Sequence, residues 1–146
     1  MQDIPLIIER TLPAPVANVW RALTDHQQMK QWYFDLAEFK AEVGFQFQFE
    51  GVGKDGHTVY VHHCEIKEVI PERKLAYSWR YEGFSGDSLV VFELFPEGEN
   101  TKVRLTHKGT ASFAANGPDF FKQSFEEGWT YILGTSLMEY VKKQPA

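Results

Sequence analysis

Alternation of apolar and polar residues governs most of this chain, and helical spacing interrupts it near each end. Leu6 to Leu12 (LIIERTL) is an apolar, β-branched run set between Pro5 and Pro13, the pattern of a first strand. Pro15 suits the first turn of a helix, where its missing N–H would be unpaired in any case. Val16, Val19, Trp20 and Leu23 follow at i, i+3, i+4 and i+7, one face of a helix. A second short helix, Gln27 to Trp32, carries Met29 and Trp32. Both helices read as a lid on the core.

From Phe45 the period becomes two. Phe45, Phe47 and Phe49 alternate with Gln46, Gln48 and Glu50, which puts three rings on one sheet face. Gly51, Gly53, Asp55 and Gly56 predict a turn. Thr58 to Ile70 reads as a long strand with Tyr60, His62, Cys64 and Ile66 on one face. Its phase slips near Glu68 and Val69, which predicts a bulge. The same alternation recurs in Leu75, Tyr77, Trp79 and Tyr81, in Val90, Phe92 and Leu94, and in Val103, Leu105 and His107. Short turns at 71–73, 83–86 and 96–100 separate these runs and predict antiparallel meander pairing.

One aromatic face therefore repeats from strand to strand and has to be covered. The covering element is a helix from Phe120 to Val141. Phe121, Phe125, Trp129, Ile132, Leu133, Ser136 and Tyr140 share one of its faces. Gly128 sits inside this helix, where it costs about 1 kcal/mol relative to alanine. A glycine there usually has a packing or ligand reason. Lys108 to Gly117 reads as one long loop at the rim. The expected class is α+β, one domain over residues 1–146.

Composition narrows the function classes. Aromatic residues make up 15% of the chain, which fits either a bulky core or the wall of an apolar cavity. The net charge is −5, and no basic run exceeds Lys142–Lys143, so a nucleic-acid partner is not expected. Cys64 is the single cysteine and excludes an internal disulfide. The N-terminus lacks a signal-peptide pattern, and no apolar run approaches the roughly 20 residues of a membrane span. A cytoplasmic location is the default expectation.

Several phrases together carry a family resemblance. They are Glu9-Arg10 followed by Ala14-Pro15, Val19-Trp20 with Ala22-Leu23-Thr24-Asp25, and Gln31-Trp32-Tyr33. Val69-Ile70-Pro71-Glu72-Arg73-Lys74-Leu75 and Tyr77-Ser78-Trp79 follow. The set closes with Thr101, Leu105-Thr106-His107, Glu127-Gly128-Trp129, Leu137 and Tyr140. In this order the chain resembles the bacterial relatives of the activator of the heat-shock-protein-ninety ATPase (Aha-type). That family belongs to the START-like, or SRPBCC, superfamily. The resemblance implies a helix-grip fold: a curved antiparallel sheet of six to seven strands wrapped around a long C-terminal helix, with two short helices after strand one. It also implies an apolar cavity between sheet and helix, and no shared catalytic residues. The eukaryotic namesake carries an additional N-terminal domain without a counterpart here, which weakens the expectation of chaperone activation. A role such as stress response would rest on analogy.

By strand parity the cavity wall comprises Phe47, Phe49, Tyr60, His62, Cys64, Tyr77, Trp79, Tyr81 and Phe92. Phe125, Gly128, Trp129 and Leu133 face them from the helix, with Trp32 near the mouth. The competing reading is that these side chains simply fill the core. The expected guest is apolar or aromatic: lipid-, flavonoid- or polyketide-like. A cyclase- or aromatase-like enzyme is the alternative, with His62, Tyr60, Tyr77 and His107 as the available proton carriers. A chaperone-associated interaction domain is the third class, although no apolar patch stands outside the periodic faces. Only His62 and Cys64 of the His62-His63-Cys64 run share a face, with His107 a distant third, so no metal is expected. Gly51-Val52-Gly53 lacks both a third glycine and a following helix. No nucleophile elbow is present, and the expectation is no cofactor and no assigned catalytic residue.

Overall fold

Pairing turns the alternating segments into one sheet of six strands. The computed structural model describes residues 4–34, 36–53 and 55–143. Its strands are β1 (Leu6–Leu12), β2 (Gln46–Val52), β3 (Val59–Ile70), β4 (Lys74–Tyr81), β5 (Ser88–Glu97) and β6 (Asn100–Lys108). They lie in the order β1-β6-β5-β4-β3-β2, antiparallel throughout. Strands β2 to β6 thus form the meander that the short turns predict. Strand β1 returns to the far edge, with Leu6 opposite His107 and Leu12 opposite Thr101. The predicted slip in β3 falls between Ile66 and Glu68. Pro96 is taken into the end of β5, opposite Thr101.

Helices α1 (Val16–Thr24) and α2 (His26–Trp32) connect β1 to β2. Pro15 stands at the N-cap of α1 in an extended conformation. Asp25 ends α1 and starts α2: its N–H donates to the Arg21 carbonyl, and its carboxylate accepts from the Gln27 N–H at 3.3 Å. Val19, Ala22, Leu23, Met29 and Trp32 are the buried positions, as the helical spacing requires.

The Lys108 to Gly117 stretch corrects the sequence reading. It contains a 3-10 helix, Thr110–Asn116, followed by another at Pro118–Phe120. Gly109 enters in the left-handed region at φ 87°, which lets the chain turn immediately after β6. Phe113 and Phe120 then anchor the segment in the core at 0% and 3% exposure.

The closing helix consists of α3 (Lys122–Tyr131), a π-helical stretch at Ile132–Leu137, and α4 (Met138–Lys142). Its fully or nearly buried residues are Phe125, Trp129, Leu133, Leu137 and Val141, spaced by four. In a 3.6-residue helix each step of four drifts about 40° around the axis. The wider i→i+5 turns of the π stretch take up that drift and keep the later residues over the sheet. Phe121 does not share this face. It is the extended N-cap residue and is half-exposed. No helix among the described residues is long and apolar enough to cross a membrane.

Candidate ligand cavity

The aromatic face of the sheet is packed solid at one end and open at the other. Phe47, Tyr77 and Phe92 form the packed part: Phe47 meets Tyr77 edge-on at 5.2 Å, and Tyr77 meets Phe92 at 6.1 Å. Toward the β2–β3 and β4–β5 turns a cavity of about 460 Å³ remains. Tyr60, His62, Trp79 and Tyr81 supply its sheet wall. Phe125, Gly128, Trp129 and Ile132 supply the helix wall, and Phe34 and Phe120 close its sides. The volume lies in the ordinary range for small-molecule pockets, roughly 300–1,000 Å³.

Seven of the residues expected on the wall therefore meet around one space: Tyr60, His62, Trp79, Tyr81, Phe125, Gly128 and Trp129. Phe49, Tyr77, Phe92 and Leu133 lie in the continuous core beneath it instead. Trp32 lines a neighbouring hollow of about 430 Å³, which shares Phe34, Gly128, Tyr131 and Ile132 with the first. Phe47 and Cys64 border a depression formed with the outward-pointing Gln46, Gln48, His63 and Arg80.

Glycines keep the cavity open and its walls close. A Cβ on Gly51 would stand 2.8 Å from His62 Cε1 and 3.4 Å from Phe34 Cε1. A Cβ on Gly53 would stand 2.7 Å from Asp119 Oδ2 and 2.8 Å from a Tyr60 ring carbon. Their absent side chains let those groups lie on the backbone at the end of β2 and just beyond it. Gly128 differs: it is exposed, and a Cβ there meets nothing within 4 Å. It opens onto both hollows. Gly128→Ala should therefore raise stability by about 1 kcal/mol, the helix-propensity difference, because no contact opposes it. Urea denaturation checks this, and a loss of stability would show that the open space is not real.

Hydrogen bonds fix the polar groups of the wall. The Tyr60 hydroxyl donates to Asp119 Oδ2 at 2.6 Å. That carboxylate holds the Tyr60 phenol up to about 12. Burial pushes His62 down to about 4, partly offset by the Tyr60 and Phe49 carbonyls. Its Nδ1–H donates to the Tyr60 carbonyl at 3.0 Å, and its ring stacks on Phe49 at 4.5 Å. Trp79 Nε1 donates to the Tyr81 hydroxyl at 2.8 Å, and burial holds the Tyr81 phenol protonated.

His107, a candidate proton carrier from the sequence, sits beneath the wall at 0% exposure. Trp129 Nε1 donates to its Nδ1 at 3.0 Å. Its Nε2 lies 2.8 Å from Ser88 Oγ, whose own proton goes to the Trp79 carbonyl at 2.7 Å. Ser88 must then accept, so His107 carries its proton on Nε2. Tyr77 is similarly occupied by the Tyr33 hydroxyl at 2.6 Å. Burial raises the Cys64 thiol and keeps it neutral. Among the described residues no three His, Cys, Asp or Glu side chains cluster as metal ligands would.

The sequence reading did not nominate Phe34, Gly51, Val52, Gly53, Asp119, Phe120, Ser124, Glu127, Tyr131 or Ile132, all of which border the cavity. The paired glycines were visible, but as a turn. Asp119 and Phe120 reach the site only through the 3-10 segment, which carries no periodic signal.

A curved six-stranded antiparallel sheet gripping a C-terminal helix, with two short helices after the first strand, defines the helix-grip class of START-like (SRPBCC) proteins. The solved structures agree. Protein CV1439 from Chromobacterium violaceum superposes with a TM-score of 0.80 at 21% identity, over 96% of this chain and 98% of that one. CalU16 from Micromonospora echinospora gives 0.71 at 26% identity, over 97% and 78%. DynU16, from the dynemicin biosynthetic locus, gives 0.77 at 22% identity, over 97% of this chain and 48% of that one. The chain thus spans about half the length of DynU16. No curated protein matches it. The model of the Activator of Hsp90 ATPase homolog 1-like family matches residues 13–142, and the chain belongs to that family.

Proposed function

We propose that this protein binds a small, ring-bearing apolar molecule in the cavity between the sheet and α3. The observation that carries the reading is an aromatic-walled space of about 460 Å³ left open beside a tightly packed core. At the rim of this space position 128 is glycine, and no side chain stands across the opening. The wall also holds a few ordered polar groups, Tyr60, His62, Tyr81 and Asp119, of the kind that orient a mostly apolar guest. Both ring nitrogens of His107 are engaged by the protein, which favours binding over proton transfer through that residue.

The test uses N-phenyl-1-naphthylamine, a neutral dye whose emission rises in apolar surroundings. The wild-type protein should bind it saturably. Gly128→Leu should weaken binding at least tenfold while folding at least as stably, since leucine fits the helix and enters the open space. Equal affinity in the two proteins would remove the cavity as the binding site.

A further inference from the structure

Accounting for the side-chain protons of the buried and half-buried residues on the cavity wall leaves one donor over; the Tyr131 hydroxyl, on an exposed residue, is left to water. The Tyr60 hydroxyl proton goes to Asp119, the Ser124 proton to the Pro118 carbonyl, and the Trp129 N–H to His107. The Trp79 N–H goes to the Tyr81 oxygen. The Tyr81 hydroxyl proton itself has no acceptor among the described residues, although Tyr81 is only 8% exposed and borders the cavity. An O–H buried without an acceptor is costly, and natural structures rarely leave one. Moreover, the Tyr81 oxygen already accepts from an indole N–H, which polarises its own O–H and makes it a better donor.

We propose that Tyr81 is the orienting residue of the cavity and that the guest presents a neutral carbonyl oxygen to it, as an aryl ketone or a ring carbonyl does. The assignment rests on the binding role proposed above and specifies the chemistry of the ligand. A carboxylate end is disfavoured, because the Asp119 carboxylate stands on the same wall and would repel it. A hydrocarbon of the same shape would fill the space but leave the Tyr81 proton unpaired. The rings packed against the Tyr81 ring, which also line the cavity, suit a flat body: Phe120 meets it edge-on at 4.9 Å, and His62 lies 4.6 Å away between centroids.

Two near-isosteric probes separate the ideas, 2-acetonaphthone and 2-isopropenylnaphthalene, which differ by an oxygen in place of a methylene. Calorimetry on the wild-type protein should show the ketone binding about tenfold more tightly, the usual worth of one hydrogen bond. In Tyr81→Phe the two affinities should become equal. Infrared spectra of the bound ketone give a readout independent of any variant. The carbonyl stretch should lie below its frequency in hexane with the wild type. With Tyr81→Phe it should return to the hexane value. An alkene that binds as tightly as the ketone, an unshifted carbonyl in the wild type, or a tenfold preference that survives Tyr81→Phe would each overturn the assignment. Failure of both probes to bind the wild type would instead remove the binding role itself.

Discussion

Replacing His107 with leucine should destabilise the fold by about 3 kcal/mol, although leucine is apolar and similar in size. The imidazole accepts from Trp129 on the closing helix and donates to Ser88 on β5, while Ser88 donates onward to the Trp79 carbonyl on β4. Three elements are tied through one fully buried ring. Leucine would leave the Trp129 N–H without an acceptor inside the core, and such an orphaned donor costs about 1–3 kcal/mol. The loss of the Ser88 bond and of the ring contacts with Trp79 at 5.6 Å and Phe125 at 5.2 Å adds to that. Urea midpoints at neutral pH measure the effect. A loss below about 1 kcal/mol would show that this relay does not hold helix to sheet.

Acid should weaken the protein through His62 before the carboxylates matter. In the folded state His62 gains a proton only near pH 4, whereas its ordinary value is 6.5. Between those values the unfolded chain binds more protons than the folded one, so stability rises with pH across the window. Stability is fully present above about 6.5 and falls as pH drops toward about 4. The full effect is about 3 kcal/mol, from 1.36 kcal/mol per pK unit. Its cause is the burial of the ring against Phe49 and Trp79 on the cavity wall. His62→Phe should remove most of the slope between pH 6.5 and 4 and leave the loss in stronger acid, where Glu9, Asp55 and Glu65, held below their ordinary values by hydrogen bonds and neighbouring charge, take up protons. An unchanged slope in the variant would mean that His62 is not the group responsible.

Much of this architecture could be read along the chain, because burial of one sheet face imposes a period of two. Tyr60, His62, Cys64 and Ile66 do share a face, and so do Tyr77, Trp79 and Tyr81. Parity states which way a side chain points but not how far along the sheet the cover extends. Tyr77 and Trp79 therefore looked alike in the sequence, yet one is locked in the core and the other borders the cavity. The boundary between the two is set by distant residues, Phe34 after α2 and Phe120 in the 3-10 turn, whose meeting no local pattern encodes. Phe113 was hidden for a similar reason: a single apolar anchor in a small-residue segment has no period. The π stretch was implicit in the four-residue spacing from Phe125 to Val141, which an ideal helix could not keep over the sheet. Gly128 was legible as an anomaly, and the structure supplies its consequence, open space at the mouth of two adjoining hollows.

The most direct test of a guest between sheet and helix follows the four indole N–H resonances during titration with 2-acetonaphthone. Trp79 on the sheet and Trp129 on the helix both border the cavity, where their rings meet at 5.2 Å, whereas Trp20 lies on α1 outside it. Binding in the cavity predicts large, saturable shifts of the Trp79 and Trp129 signals and an unmoved Trp20 signal. Trp79 and Trp129 signals that stay fixed up to the solubility limit of the ketone would contradict it.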